Sequence, residues 1–210
     1  TQVGKDTGSV LDDAANGIPL VDSLKAALEH AGGVPDYFIF GMAPSSGMLS
    51  PTERSLVLEA MSKGMHIVNG LHEFSNDDPE FVAASVAANV SMIDIRKPRA
   101  KKDLRMFSGR ISSVTCPRIA ILGTDGAIGK RTTATILARV LNEQGIKPVL
   151  VGTGQTGLIQ GARYGLAVDA IPCQLCSGEL ESTIVEAFEG EHPDVIIIEG
   201  QGALSHPAYL

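Results

Sequence analysis

The sequence predicts an α/β protein: a Rossmann-like domain with a parallel sheet, followed by a P-loop NTPase-like α/β domain that is incomplete at its C-terminus. Two observations support this prediction. Short apolar strands alternate with helical segments along the 210 residues, which is typical of parallel sheets. A glycine-rich segment, 123–133, lies between an apolar strand and a helix, which is the expected context of a phosphate-binding loop.

Residues 1–100 form the predicted first domain. Apolar residues at helical spacing predict a helix over 20–31, and Tyr37–Phe40 has the composition of a short buried strand. Ser50 and Pro51 predict the start of a helix that ends before Gly64, because Ser is a favoured N-cap and Pro a favoured first residue. The remaining predicted elements are strand 66–68, helix 79–89 with Asp78 as its cap, and strand 92–95.

A basic run separates the two domains. Residues 96–115 contain seven Lys or Arg and have no clear period, so we predict a linker over 101–115 and expect it to be solvated. The second domain, 116–210, then contains strand 118–122, helix 132–144, strand 148–151, helix 179–189 and strand 194–198. Because the chain stops soon after this last strand, we expect it to be part of a longer protein.

Composition excludes several classes of function. The net charge is −7, aromatic residues make up 4% of the chain and Trp is absent, which argues against nucleic-acid binding. No apolar run reaches the length of a membrane span and no signal peptide is visible. We therefore expect a cytoplasmic enzyme, forming a homo-oligomer, with a small-molecule substrate and neither nucleic acid nor membrane as a partner.

Two of the three cysteines, Cys173 and Cys176, have the spacing of a redox or zinc motif. A zinc site needs a second pair of ligands, which this sequence lacks. A thioredoxin-like motif opens a helix directly after a strand, and this pair follows Ile171 and Pro172 without a clear strand. We predict no function for the pair.

The segment GTDGAIGKRTT carries the predicted phosphate site. Its glycines allow backbone N–H groups to turn inward, and Lys130 neutralises phosphate charge. The predicted contacts are Gly123, Thr124, Gly126, Ala127, Ile128, Gly129, Lys130, Arg131, Thr132 and Thr133. Five residues rather than four separate Gly123 from Gly129, and Arg131 replaces the usual magnesium-binding Ser or Thr. These departures favour a polyphosphate that is bound without being cleaved, such as coenzyme A. If the site also binds magnesium, Thr132 and Glu199 are candidate ligands.

The strand before Glu199 predicts a second part of the site. Asp194-Val-Ile-Ile-Ile-Glu199 ends in an acid, and the carboxyl ends of parallel strands face the ligand in α/β folds. In a P-loop protein this carboxylate lies near the phosphates. Asp125, within the loop, is a second candidate acid, and His206 is a candidate base or substrate contact.

A G-x-G-x-x-G match, 152–157, follows the predicted strand 148–151. Because glycines and Tyr164 interrupt the helix that a dinucleotide fingerprint requires, we predict a ligand-facing loop in which Gly154, Gln155 and Thr156 contact substrate. Gln201 and Arg163 are further candidates for substrate contacts. Loops 41–47 and 69–74 follow strands of the first domain, and are as consistent with ordinary connections as with ligand binding.

These motifs carry two resemblances. GTDGAIGK with EGQGAL resembles the dethiobiotin synthetase branch of P-loop proteins, which also has five residues within its loop. A closer resemblance spans nearly the whole chain through GMAPSSGMLS, IVNGLHEFSNDDPE, IDIRKPR, GTDGAIGKRTT, VGTGQTG and IIIEGQGALSHPAY. These segments are similar to a bacterial and archaeal family once known only as a domain of unknown function, with a Rossmann-like and a P-loop domain, some of whose members are D-glutamate N-acetyltransferases.

The resemblance implies transfer of an acetyl group from acetyl-CoA to an amino acid, most simply D-glutamate. A thioester is already activated, so this reaction needs no ATP cleavage. Glu199, and after it Asp125, is the expected base for the amine, and backbone N–H groups near Gly154 or Gly200 are the expected oxyanion donors. Two alternatives stay open: an ATP- and magnesium-dependent ligase or kinase like dethiobiotin synthetase, and a non-catalytic nucleotide- or CoA-binding module.

Overall fold

The structure is a computed structural model that describes residues 2–11, 13–42, 44 and 46–203. Backbone contacts divide these residues into two units. The first unit contains most of the residues up to Ile93. The second unit contains Asp94 onward together with two short pieces, 41–43 and 70–72.

The first unit alternates helices and strands, as predicted. Its sheet has the order β1-β2-β3, and β1 pairs in parallel with β2, with Tyr37 opposite His66 and Phe40 opposite Asn69. The elements are α1 (Thr7–Leu11), α2 (Leu24–Ala31), β1 (Tyr37–Phe40), α3 (Pro51–Ser62), β2 (His66–Asn69), α4 (Pro79–Ala88) and β3 (Met92–Asp94), with a 3₁₀ turn at Ser75–Asp77. The predicted start of the first long helix at Leu20 was four residues too early, because Ser23 is the N-cap and accepts a hydrogen bond from the N–H of Ala26.

The helix starts in this unit follow from local sequence. Ser50 accepts a hydrogen bond from the N–H of Glu53, and the Glu53 carboxylate accepts one from the N–H of Ser50, so the two residues form a capping box before α3. Asp78 caps α4 by accepting hydrogen bonds from the N–H groups of Glu80 and Phe81. The predicted caps Ser50 and Asp78 are confirmed.

The second unit is a four-stranded parallel sheet with the order β4-β7-β5-β6. Its elements are β4 (Arg118–Ile121), α5 (Lys130–Glu143), β5 (Pro148–Gly152), α6 (Gln155–Ile159), β6 (Tyr164–Gly165), α7 (Cys173–Glu191) and β7 (Val195–Glu199), with 3₁₀ turns at Lys101–Asp103, Arg110–Ser113 and Val168–Ala170. Since all four strands run in the same direction, the loops after β4, β5 and β7 lie at one edge of the sheet.

Apolar residues of the central strands form the core of this unit. Val151 of β5 and Ile196 of β7 are completely buried, and Val185 of α7 packs against them. The near-continuous apolar run in β7 is typical of a parallel strand that is covered on both faces. This rigid centre fixes the direction in which the strand ends project their polar residues.

Helix α7 begins six residues earlier than predicted, at Cys173 rather than Glu179. Gly178, which lies inside the helix, is required there because a Cβ atom would stand 2.2 Å from the carbonyl oxygen of Arg105. The prediction that 152–157 leads into a loop was also wrong in part. The short helix α6 follows β5, and the two-residue strand β6 then pairs with β5.

Part of the basic segment between the domains is packed against α7 rather than solvated. The buried Glu181 carboxylate accepts hydrogen bonds from the N–H groups of Ser108 and Ile111, at 2.7 and 3.1 Å, and from the Ser108 hydroxyl. Buried Glu179 accepts one from the N–H of Arg105 at 2.6 Å. These carboxylates satisfy backbone donors of a segment that has little regular structure.

None of the helices in the described part of the chain is long and apolar enough to cross a membrane.

Candidate functional site

The phosphate loop joins β4 to α5, and its backbone requires residues with little or no side chain. Gly129 has a φ of +93° and Ala127 a φ of +53°, a region that L-residues rarely adopt. A Cβ atom on Gly123 would lie 2.4 Å from the side chain of Ile128. Helix α5 begins at Lys130, two residues before the predicted start, so Lys130 and Arg131 both lie in its first turn.

Lys130 connects this loop to the loop after β7. Its Nζ atom donates hydrogen bonds to the carbonyl oxygens of Asp125, at 2.5 Å, and Gly202, at 3.0 Å. The Asp125 carboxylate accepts a hydrogen bond from the N–H of Gly126 at 2.7 Å, within the loop itself. Lys130 therefore stands between two loops that face the same space, where its charge is available to an anionic ligand.

Glu199 ends β7 as a buried carboxylate, with 7% of its surface exposed. Its Oε2 atom accepts a hydrogen bond from the N–H of Thr153 at 3.2 Å, and the Thr153 hydroxyl donates to the Glu199 carbonyl oxygen at 2.7 Å. Burial raises the pKa of Glu199, against the lowering effects of the Thr153 N–H and of the charges of Arg131 and Lys130. A carboxyl group with a raised pKa is suited to proton transfer.

Helix α6 closes over Glu199 because it carries glycine at the point of contact. A Cβ atom on Gly157 would stand 2.5 Å from Oε2 of Glu199, and one on Gly154 would stand 2.4 Å from Nε2 of Gln201. The glycines of the G-x-G-x-x-G segment thus allow close approach to the β7 loop. Gly200, also in that loop, donates its N–H to the Ile121 carbonyl oxygen at 3.0 Å. Oxyanion donors near Gly200 or Gly154 stay a prediction, and the Gly200 N–H itself is engaged within the sheet.

The loops after β4, β5 and β7 enclose a cavity of about 710 Å³. Most of the predicted site residues line it together. The lining residues are Asp125, Gly126, Ala127, Ile128, Gly129, Lys130, Arg131, Thr132, Gly154, Gln155, Thr156, Glu199, Gly200, Gln201 and Gly202, joined by Arg96 and Asp169. Gly123, Thr124 and Thr133, which were also predicted to contact phosphate, are not among the lining residues.

Arg96 and Asp169 are charged lining residues that were not among the predicted site residues. Arg96 is buried, and its guanidinium donates from Nε to the Gly70 carbonyl oxygen at 2.7 Å and from Nη1 to the Asp169 carboxylate. Asp169 follows β6 in the 3₁₀ turn Val168–Ala170. His72 also lies near Asp169, with 3.7 Å between its Nε2 atom and Oδ2 of Asp169.

Other predicted residues lie elsewhere. Arg163 forms an ion pair with Glu191 and lines a different cavity of about 530 Å³, beside Tyr164. His206 lies outside the described residues. Within the predicted loop 69–74, the piece 70–72 groups with the second unit, and His72 lies beside Asp169.

The Cys173–Cys176 pair opens α7, and a 3₁₀ turn precedes it, which agrees with the predicted lack of a clear strand before the pair. Burial raises the pKa of the Cys176 thiol, and its Sγ atom contacts the carbonyl oxygens of Val168, Ile171 and Pro172. A reactive thiol needs the opposite shift. Within the described residues, no cluster of three or more His, Cys, Asp or Glu side chains has the arrangement of a metal site.

The fold and this cavity define a P-loop α/β domain joined to a Rossmann-like domain. Residues 1–98 match a family described as a domain of unknown function, DUF1611_N, a Rossmann-like domain. Residues 105–210 match the P-loop domain of the same family, DUF1611_C. The chain therefore belongs to the DUF1611 family, which confirms the resemblance and the two predicted fold types.

Relatives and a solved structure agree with this assignment. A protein named D-glutamate N-acetyltransferase from Pseudoalteromonas sp is 37% identical over 173 residues, and one from Tritonibacter scottomollicae with the same name is 30% identical over 172 residues. These matches cover 82% and 81% of this chain but 49% of each relative, so the chain spans about half the length of these relatives. The crystal structure of a DUF1611 family protein from Anabaena variabilis superposes with a TM-score of 0.86 at 30% identity, covering all of this chain and 58% of that one.

Proposed function

We propose that the protein is an N-acetyltransferase that moves the acetyl group of acetyl-CoA to the amino group of an amino acid, with D-glutamate as the first candidate. The observation that carries this proposal is the presence of a buried carboxylate with a raised pKa, Glu199, in the same cavity as a phosphate loop. The names of the two relatives support the choice of reaction and acceptor.

The phosphate loop is the proposed site of the coenzyme A phosphates. Lys130 and Arg131 supply two positive charges to the cavity, and the loop residues 126–129 line it beside them. The backbone N–H groups of such a loop are the proposed further donors to phosphate. Arg131 occupies the position in which a P-loop enzyme has the hydroxyl that binds magnesium. A cation there suits binding of phosphate better than hydrolysis, and acyl transfer from a thioester requires no hydrolysis of ATP.

Glu199 is the proposed general base. The ammonium group of the amino acid must lose a proton before it can attack, and the Glu199 carboxylate takes that proton. The amine nitrogen then forms a bond to the thioester carbonyl carbon, and the carbon–sulfur bond breaks. Coenzyme A leaves as a thiolate, and the second proton of the amine passes to solvent or to that thiolate. The N–H of Gly154 is the proposed donor to the developing oxyanion.

The alternative is an ATP- and magnesium-dependent ligase or kinase. Thr132 and Glu199 both line the cavity, so the two ligands that such an enzyme requires share one space. The acetyltransferase proposal accounts for Arg131, whose guanidinium cannot bind a cation, whereas the ligase alternative does not. The proposed reaction has no step that requires magnesium. A cytoplasmic location and a homo-oligomeric state stay predictions.

A ligand titration followed by an acyl-transfer assay tests the proposal. Acetyl-CoA should raise the melting temperature of the protein more than ATP with magnesium does, because a ligand of the native state stabilises it. Acetyl-CoA with D-glutamate should release free thiol, whereas the same mixture with L-glutamate should release less. Phosphate release from ATP coupled to product formation would instead support the ligase, and binding of acetyl-CoA without turnover on any D- or L-amino acid would support a non-catalytic module.

A further inference from the structure

The ion pair of Arg96 and Asp169 has the composition of a recognition site for a zwitterion. Both residues line the phosphate-loop cavity, and the Asp169 carboxylate accepts a hydrogen bond from Nη1 of Arg96. An amino acid carries a carboxylate and an ammonium group on neighbouring atoms. A guanidinium and a carboxylate held side by side complement those two charges, the guanidinium through two parallel N–H groups.

The geometry fixes Arg96 and leaves Asp169 accessible. Arg96 is 7% exposed, and its Nε–H is held by the Gly70 carbonyl oxygen at 2.7 Å, so the plane of the guanidinium is set by the protein. The Asp169 side chain is 45% exposed and has His72 on one side, with 3.7 Å between the nearest atoms. A rigid cation beside an accessible anion is the arrangement expected of a binding site that is already formed before the ligand arrives.

The charged residues that line the cavity come from different segments of the chain. Lys130 and Arg131 lie in the first turn of α5, after the phosphate loop, whereas Arg96 precedes β4 and Asp169 lies between β6 and α7. We propose that Arg96 and Asp169 bind the acceptor amino acid, with Arg96 contacting a carboxylate of the substrate and Asp169 its ammonium group. This inference rests on the proposed function, because it assigns the acceptor of that same reaction.

The pair would then decide which acceptors are used. A substrate that lacks the amine, such as glutarate, offers Arg96 a carboxylate but presents no cation to Asp169, and its own negative charge is repelled by that carboxylate. The amine of a bound amino acid stays protonated beside Asp169 until Glu199, which lines the same cavity, accepts the proton. Arg96 and Asp169 are thus specificity-determining residues, and Glu199 is the catalytic one.

Steady-state kinetics of acetyl transfer with Asp169→Asn and Arg96→Lys test this assignment. Each variant should raise the KM for D-glutamate by at least about tenfold, the loss expected for one charge-assisted contact, and leave the KM for acetyl-CoA within about twofold. Glu189→Gln is the matched control, because it also removes the acid of an Arg–Glu ion pair. That pair, with Arg110, is exposed (58% for Arg110 and 56% for Glu189), and neither residue lines the cavity. It should change neither KM.

Calorimetry with glutarate measures the preference of the protein for D-glutamate over glutarate. If Arg96 and Asp169 had only a structural role, Asp169→Asn would leave this preference unchanged. Wild-type protein should bind D-glutamate more tightly than glutarate, and Asp169→Asn should reduce or abolish that preference. Retention of both the KM for D-glutamate and the preference over glutarate in folded Asp169→Asn and Arg96→Lys proteins would overturn the inference while the proposed function stands.

A failure of the proposed function has a different signature. Suppose that wild-type protein binds another amino acid in place of D-glutamate, and that Asp169→Asn weakens that binding. The choice of D-glutamate as acceptor is then wrong, but the role of Arg96 and Asp169, here called the recognition pair, is supported. If wild-type protein binds no amino acid in a D- and L-panel, both the proposed function and the inference are contradicted. The melting temperature of each variant, measured beside the control, separates loss of binding from loss of folding.

Discussion

Gly157 lies against the carboxylate of Glu199, so closely that a Cβ atom at position 157 would stand 2.5 Å from Oε2. This contact joins two sequence motifs that are separate along the chain. The third glycine of the G-x-G-x-x-G segment is required because the backbone of α6 passes directly over the buried Glu199 carboxylate. Binding of a dinucleotide is not needed to explain this glycine. The carboxylate is consequently shielded from water, which is the cause of its raised pKa.

Gly157→Ala should disturb Glu199 without removing it. The added methyl group forces either the carboxylate or α6 to move, and misplacement of a catalytic group by about 1 Å costs about a hundredfold in rate. We expect kcat for acetyl transfer to fall by that order, with the KM for acetyl-CoA nearly unchanged. Gly33→Ala is the control, because a Cβ at Gly33 meets nothing within 4 Å. Equal kcat values for the two variants would show that the contact does not matter.

Lys130→Ala should weaken the binding of acetyl-CoA by at least about tenfold, since it removes a charge-assisted contact to phosphate. Calorimetry measures this directly. S-acetylpantetheine, which lacks the phosphates, supplies the internal comparison and should bind both proteins equally. Lys25→Ala, at a side chain that is 85% exposed in the other unit, should alter neither affinity. An unchanged affinity for acetyl-CoA would exclude the phosphate loop as its site.

Glu181→Gln should destabilise the protein in a pH-dependent manner. Burial raises the pKa of Glu181, but the hydrogen bonds from Ser108 and Ile111 outweigh it, and the net pKa lies below the ordinary value. A lowered pKa in the folded state contributes stability above the unfolded pKa, and this contribution is lost as the pH falls through the folded pKa.

The melting temperature of Glu181→Gln should therefore lie below that of the wild type at neutral pH, and the difference should shrink as the solution is acidified past the ordinary glutamate pKa of 4.5. Glu189→Gln, at an exposed ion pair with Arg110, should change the melting temperature little at any pH. A difference for Glu181→Gln that stays constant with pH would contradict the role assigned to its charge.

Glu199→Gln should have the opposite effect on stability. Because burial raises the folded pKa of Glu199, its contribution to stability is fully present below the unfolded pKa and is lost as the pH rises through the folded pKa. The amide keeps the acceptor for the Thr153 N–H and avoids burying a charge. We expect a higher melting temperature than wild type at neutral pH, and equal values in acid. A lower melting temperature at neutral pH would mean that the charge of Glu199 stabilises the fold.

The alternation of apolar strands with capped helices made most of the fold predictable. Ser50 and Asp78 mark helix starts by local chemistry, and the run before Glu199 identifies a central strand. Local signals also located the phosphate loop. Helix α7 was predicted to start too late because Gly178 weakens the helical pattern, and the reason for that glycine, its contact with Arg105, is a tertiary one.

The recognition pair shows what sequence patterns do not contain. Arg96 and Asp169 are 73 residues apart. Arg96 lies in the segment IDIRKPR, which carries part of the family resemblance but no predicted site role, and Asp169 lies in none of the quoted segments. Arg96 opens a basic run that, by composition alone, belongs to a solvated segment. Only the folded chain brings its guanidinium beside Asp169 at the cavity wall. Arg163, chosen for its charge, pairs instead with Glu191, and its predicted contact with substrate stays a prediction.

The pH dependence of acetyl transfer by wild type, Glu199→Gln and Asp125→Asn tests the central claim most directly. If Glu199 is the base, wild-type kcat/KM falls in acid around a pKa above the ordinary 4.5 of glutamate, and Glu199→Gln loses that limb together with about a hundredfold to ten-thousandfold in rate. Asp125→Asn should keep both the acidic limb and the rate, because the Asp125 carboxylate of the wild type accepts a hydrogen bond from the N–H of Gly126 within the loop. Near-normal turnover and an intact acidic limb in Glu199→Gln would contradict the account, and loss of both in Asp125→Asn alone would transfer the role to Asp125.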